Sequence, residues 1–232
     1  PPEWFAGYLD DLNARDALTS LRAVVVGYLG SPAQAHILAR WLEARRRVQP
    51  GLLVVIDPVI GDHDSGVYVD PALVDAYRGE LLPLATALTP NSFEVATLTG
   101  EPADDIEATV AAARKLLRGH TRWVIVTSAA PATWPDGQIR IAIVSADAVD
   151  LIEHPRVDAT PKGTGDLFTA LTAAGLLAGL EAEPDFAEAF AGVVEEILAK
   201  LPDEVRQAVR GEEIGTALVE EARAVALARL RR

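Results

Sequence analysis

Short, almost wholly apolar runs recur along the chain: RAVVVG (22–27), LLVVID (52–57) and WVIVT (123–127). Between them lie stretches such as AQAHILARWLEARRR (33–47) and DDIEATVAAARKLL (104–117), in which apolar residues return every three or four positions. The first kind predicts strands and the second amphipathic helices. The strands do not alternate between polar and apolar, which suits a parallel sheet covered by helices on both faces. LATALT (84–89) predicts a further strand, and QIRIAIVSA (138–146) with AVDLIEH (148–154) predicts a hairpin. From Thr164 onward the pattern is helical, with amphipathic segments at 184–201 and 212–230. Neither a repeat nor a linker interrupts the sequence, so the expectation is an α/β fold in one domain over 1–232, with 181–232 as a helical tail.

Ligands of open parallel sheets sit beyond the carboxyl ends of the strands. The segments that follow the predicted strands are GYLGS (27–31), DPVIGDHDSG (57–66), TPNSFE (89–94) and TSAAP (127–131), and the last long helix is entered through PKGTGD (161–166). GTGD combines glycines that allow close backbone approach with a helix start whose free amides can receive a phosphate. Asp166 is misplaced beside an anion unless a cation screens it or it takes a proton from an attacking group; otherwise it is an acidic residue favoured by a helix start. Asp57 ends an apolar strand, and with Asp62 it suits a hard cation held through oxygen, whereas His63 and Asp64 read as a surface turn. Asn91 and Glu94 have capping-box spacing, which explains them structurally; the alternative is that both face a metal-bound nucleotide. Thr127 and Ser128 offer hydroxyls to phosphate or to a monovalent cation, and Lys162 a point charge.

Composition narrows the chemistry. With 21 basic and 34 acidic side chains the net charge is −13, which argues against a nucleic-acid or anionic-membrane partner. There are no cysteines, which removes disulfides, thiolate zinc sites and cysteine nucleophiles. The four histidines form no close ligand pair, no serine occupies a nucleophile elbow, and no P-loop pattern is present. Apolar stretches fall short of the roughly 18 residues of a membrane span, and no secretory signal opens the chain, so a cytoplasmic protein is expected. The chain also lacks methionine and begins PPEWFAGYL, which predicts a trimmed, processed or redesigned product whose intact mass differs from that of a native gene product.

Taken together, GYLGS (27–31), DPVIGDHDSGVYV (57–69), LLPLATALTPNSFEVATLTG (81–100), WVIVTSA (123–129) and KGTGDLF (162–168) resemble, in chain order, the pyridoxal kinase family of the ribokinase-like kinases, most closely its bacterial pyridoxine/pyridoxal/pyridoxamine kinases. The resemblance covers roughly residues 1 to 180. It implies a three-layer fold with a mostly parallel central sheet, lacking about one strand-helix-strand region at the front that supplies part of the vitamin pocket. It also implies ATP-dependent phosphorylation of the 5'-hydroxymethyl group of a B6 vitamer, with Asp166 as catalytic base and Gly163, Thr164 and Gly165 as the anion hole. Asp57 and Glu94 match positions near magnesium, and Asp62, Thr89 and Thr127 positions around potassium. Asp62, Tyr68, Asn91, Thr127, Ser128 and Lys162 match ATP-binding positions, and Tyr28 a contact to the pyridine ring. The family implies a homodimer. Two alternatives remain: a hydroxymethylpyrimidine kinase, whose relatives commonly have cysteine in place of the GTGD aspartate, and a chain that binds nucleotide without turnover.

Overall fold

The computed structural model describes residues 1–15, 18–155 and 164–179. In chain order the strands are β1 (Ala23–Val26), β2 (Leu53–Ile56), β3 (Gly61–Asp62), β4 (Gly66–Val67), β5 (Ala87–Leu88), β6 (Trp123–Val126), β7 (Gln138–Val144) and β8 (Val149–Pro155). The helices are α1 (Pro2–Ala14), α2 (Pro32–Val48), α3 (Pro71–Ala76), α4 (Ser92–Thr99), α5 (Ile106–Lys115) and α6 (Thr164–Leu177). One six-stranded sheet runs in the order β1-β2-β5-β6-β7-β8. Its first four strands are parallel, and β7 and β8 add an antiparallel edge in the register Ile141 to Ile152.

The three layers follow from β2. Val54 and Ile56 belong to the main core with Leu38, Leu42 and Leu116, whereas Val55 between them packs with Ala87 and with Ala173 of α6. Successive strand residues point to opposite faces, so an uninterrupted apolar run is what a strand sandwiched between helices requires. The helices are fixed at their ends. Ser31 accepts the Gln34 amide at the start of α2, Asp105 accepts the Ala108 amide at the start of α5, and three arginines occupy the last turn of α2. The capping box expected at Asn91 and Glu94 is formed, and Gly100, with φ 73°, closes α4 in the left-handed conformation.

The structure differs from the sequence reading in four places. Helix α1 was not expected; it places Phe5 against the main core while Trp4, Tyr8 and Leu12 stay exposed. The strand expected over 84–89 shrinks to Ala87–Leu88, because Leu82–Leu84 forms a 3-10 turn around Pro83. The segment 71–81, for which no element was expected, forms α3 and a π-turn at Tyr77–Leu81. The glycine loop after Asp57 is itself a small hairpin, β3 with β4. The helices expected at 184–201 and 212–230 lie outside the described residues. Among the described residues no helix is long and apolar enough to cross a membrane.

Candidate active site

At the carboxyl edge of the parallel strands lies a cavity of about 650 Å³. The end of β2 contributes Asp57, and the β3–β4 hairpin brings Asp62 and Tyr68 to its wall. Thr89, Asn91 and Glu94 come from the end of β5 and the start of α4, Thr127 and Ser128 from the end of β6, and Gly165 and Asp166 from the first turn of α6. Ten of the residues singled out in the sequence thus meet at one place. Tyr28 does not join them; it is exposed and does not line the cavity. Lys162 and Gly163 lie outside the described residues, and Thr164 opens α6.

Local bonds hold the wall in shape. Beyond β5 and β6 the parallel pairing extends to a bridge between Asn91 and Thr127, and the Thr127 amide donates to the Pro90 carbonyl at 2.9 Å. Asn91 caps α4 through Oδ1, which accepts the Glu94 amide at 2.8 Å, and its Nδ2 donates to the Gly61 carbonyl at 2.9 Å. Glu94 works in both directions: Oε2 accepts the Asn91 amide and Oε1 the Ile60 amide, each at 2.9 Å. The cap and the hairpin are therefore one unit, and the structural reading of Asn91 and Glu94 coexists with their place in the wall. Gly61 is required there, since a Cβ would run into the Gly66 carbonyl and come within 2.7 Å of Phe93. Ser128 is held at φ 50°, an unfavourable conformation for a residue with a side chain.

The carboxylates are arranged unevenly. Asp57 and Glu94 are 8% and 3% exposed. Burial pushes Asp57 up to about 7, with help from the nearby charge of Asp166 and against a hydrogen bond from Thr169. Burial likewise pushes Glu94 up to about 8, despite the Ile60 amide. Asp62 is the reverse case, held below its ordinary value chiefly by the Ser65 amide, which donates to Oδ1 at 2.6 Å. Asp166 faces solvent in the first turn of α6.

Two glycines allow these acids to approach the backbone. A Cβ on Gly165 would stand 3.1 Å from Asp57 Oδ2, and one on Gly27 would stand 3.1 Å from Asp166 Oδ1. Sequence reading missed Gly27 as a site residue; only its position at the end of β1 marked it. It also missed Thr169, one turn into α6, whose hydroxyl donates to the Gly165 carbonyl at 2.8 Å and stands 2.7 Å from the Thr89 hydroxyl. Tyr77, the buried first residue of the π-turn, donates to the Gly27 carbonyl at 3.4 Å.

The donor set fits magnesium. Two buried carboxylates line one cavity, and no lysine or arginine lines it among the described residues. Among the described residues no group of three or more histidines and acids converges on a point. A cation here would complete its shell from water and ligand phosphates, as magnesium commonly does.

A mostly parallel three-layer sheet, with a polar cavity at its carboxyl edge and a helix start beside that cavity, defines a ribokinase-like α/β protein. The chain belongs to the phosphomethylpyrimidine kinase family, whose model matches residues 12–206. It is 60% identical over 179 residues to a pyridoxine/pyridoxal/pyridoxamine kinase of Bordetella bronchiseptica, a match covering 77% of this chain and 63% of that protein. Among solved structures it resembles the pyridoxal kinase of Leishmania donovani in complex with ADP and pyridoxine, with a TM-score of 0.66 at 26% identity over 79% of this chain and 62% of that one. The same kinase in complex with ADP and ginkgotoxin gives a TM-score of 0.70 at 25% identity, covering all of this chain and 77% of that one. The chain therefore spans just under two thirds of the length of the Bordetella bronchiseptica relative.

Proposed function

We propose that the chain is the nucleotide-binding and catalytic part of an ATP-dependent kinase that phosphorylates the 5'-hydroxymethyl group of a B6 vitamer. The observation that carries this reading is the meeting of Asp57, Glu94 and Asp166 at one cavity, in a chain so similar to kinases of that name. In the proposed reaction Asp166 accepts the proton of the substrate alcohol, the alcohol oxygen forms the new bond to the γ-phosphorus, and the bond to the bridging oxygen of ADP breaks. The first turn of α6, with Thr164 and Gly165 and the preceding Gly163, offers backbone amides to the transferring group. Asn91, Thr127, Ser128 and Lys162 hold the nucleotide phosphates, beneath Tyr68 and beside Asp62.

Asp57 and Glu94 would hold magnesium, which when bound neutralises charge on the phosphates and keeps both carboxylates ionised. Asp62, Thr89 and Thr127 offer only oxygen ligands and would serve potassium. Cations of this kind let a chain of net charge −13 accept a highly anionic nucleotide. Tyr28, exposed beyond the end of β1, is the proposed ring contact. The reading further places the chain in the cytoplasm, as one kinase domain over 1–232 in a homodimer.

The family description supports a second reading, phosphorylation of hydroxymethylpyrimidine. Asp166 and the loop GDHDSGVYV favour the B6 vitamer. The test supplies the chain with ATP, magnesium and potassium and offers pyridoxal and hydroxymethylpyrimidine separately. The proposal expects pyridoxal phosphate as the preferred product, and preferential phosphorylation of the pyrimidine would replace it with the second reading.

A further inference from the structure

Among the described residues, the two non-glycine positions with positive φ are Ser128, at 50°, and Ala130, at 54°, on either side of Ala129 just beyond the end of β6. A left-handed backbone is unfavourable for any residue with a Cβ. Ala130 also precedes Pro131, whose ring crowds the residue before it and favours an extended backbone there. Such a turn persists only where its surroundings over-determine it. Ser128 lines the catalytic cavity, so the unfavourable backbone lies at the site itself.

A bonded network grips this turn from behind. Both backbone groups of Ala129 are engaged: its amide donates to the Arg140 carbonyl at 2.7 Å, and its carbonyl accepts the Trp134 Nε1 proton at 2.6 Å. The Ala130 carbonyl accepts the Thr133 amide at 3.0 Å and the Thr133 hydroxyl at 3.1 Å. That hydroxyl has spent its one proton, so it is free to accept, and Arg140 Nη1 donates to it at 2.9 Å. Arg140 is in turn fixed by Glu153, opposite it in the β7–β8 register, through Nε at 3.1 Å and Nη2 at 2.6 Å to Oε1. The arginine is only 5% exposed. Burying a guanidinium costs desolvation, and a well-packed apolar pair would serve the β7–β8 ladder as well. The bond to Thr133 gives a reason for an arginine at this position. None of Thr133, Trp134 and Arg140 lines the cavity, so any effect they have on the site passes through the turn.

We propose that Thr133, backed by Arg140, and Trp134 are positioning residues for the nucleotide: they hold the left-handed turn that presents Ser128 to the catalytic cavity. The inference rests on the reading of Ser128 as a contact to the nucleotide phosphates. Without the grip, Ala130 relaxes toward the extended backbone favoured before proline and Ser128 leaves its place. The groups assigned to the transfer itself, Asp166 and the first turn of α6, belong to another element and stay where they are. Nucleotide binding weakens and the chemical step does not.

The test uses the full chain carrying Thr133→Val and Trp134→Phe, which remove one hydroxyl and one indole N–H from exposed and half-buried side chains and spare the buried Arg140. In the free protein the Cα and Hα shifts of Ser128 and Ala130 report φ, and the double variant should lose the positive-φ values of the wild type. Calorimetric titration with a non-hydrolysable ATP analogue and magnesium should show binding weakened about tenfold, and assays should show KM for ATP raised to match with kcat within about threefold, the pattern of lost binding energy that the transition state shares. Adding Ala130→Gly should recover part of the loss, because glycine takes a positive φ without steric cost. Thr133→Ser alone should behave as the wild type. The proposal is overturned if the Ala130 shifts stay unchanged in the double variant, if the analogue binds it as tightly as the wild type, if kcat falls while KM holds, or if Ala130→Gly recovers nothing. If the wild-type chain binds no analogue, the nucleotide reading fails, and the Ala130 shifts still decide whether Thr133 and Trp134 hold the turn.

Discussion

At the carboxyl edge of the sheet two carboxylates, Asp57 and Glu94, are buried against one cavity, whereas at the amino edge of the same strands three arginines face another. The two edges tolerate charge by different means. Arg46 donates to a carbonyl and a hydroxyl that the fold already provides, and a guanidinium keeps its proton throughout the physiological range. Asp57 and Glu94 have no cationic side chain in their cavity among the described residues, and burial lifts both toward neutrality. The basic edge is thus largely satisfied by the fold, while the proposed function completes the acidic edge with cations from outside. The lesson is that the charge of a site can oppose that of its ligand when the fold leaves room for a third, mediating charge.

The largest effect is expected at Asp166. Asp166→Asn should lower turnover by about 10²–10⁴-fold, the usual contribution of a positioned base, with little effect on stability because the side chain is exposed. Near-normal turnover would remove Asp166 as the base.

The next effect is on stability against pH in the cation-free chain. Asp57, at about 7, and Glu94, at about 8, keep protons that the unfolded chain gives up near 3.8 and 4.5. The folded state therefore binds more protons between about pH 4 and pH 7 to 8, and stability falls as pH rises through that window, by up to about 1.4 kcal/mol per pH unit and group. Urea unfolding between pH 5 and 8 should show this slope. Asp57→Asn and Glu94→Gln should each flatten it, and magnesium with ADP should raise the melting temperature more at pH 8 than at pH 5. No corresponding slope is expected from changes at Arg46.

Smaller effects sharpen the contrast. Gly61→Ala forces the hairpin away from Phe93 and should cost about 1–3 kcal/mol in chemical denaturation, with weaker nucleotide binding as the loop carrying Asp62 moves. At the amino edge, Thr86→Val removes the acceptor shared by Arg46 at 2.8 Å and the Val54 amide at 3.1 Å, and should cost about 1–3 kcal/mol without changing turnover. Smallest is Ser128→Gly, which relieves a left-handed backbone and should change stability by under about 1 kcal/mol, measured by the shift in melting temperature.

Much of this was legible in the sequence because parallel strands buried on both faces leave continuous apolar runs, as at β1, β2 and β6, and because the polar segments at their ends carry the site. Asp57 stood out as a carboxylate closing such a run, and the structure buries it. By its spacing Glu94 read first as a cap, and its place near a metal-bound nucleotide came as the alternative and from the family resemblance. Its burial depends on Ile60 folding back onto it, a contact between segments distant in the chain. The same holds for Gly27 against Asp166 and for Thr169 against Thr89, where neither spacing nor composition records the approach. Helix α1 escaped notice because only part of its apolar surface is buried, Phe5 packing inward while Trp4 and Tyr8 remain exposed. The arginines of the amino edge gave no local signal either: Arg22 and Arg122 directly precede β1 and β6, Arg46 lies in α2, and only the fold brings them together.

The proposed function requires the acidic edge to transfer phosphate and not merely to bind nucleotide. ³¹P NMR of the chain with ATP, magnesium, potassium and pyridoxal tests it most directly. A phosphate-monoester resonance that grows in step with the ADP signals is expected. ATP resonances that shift on binding while no ester forms would contradict it.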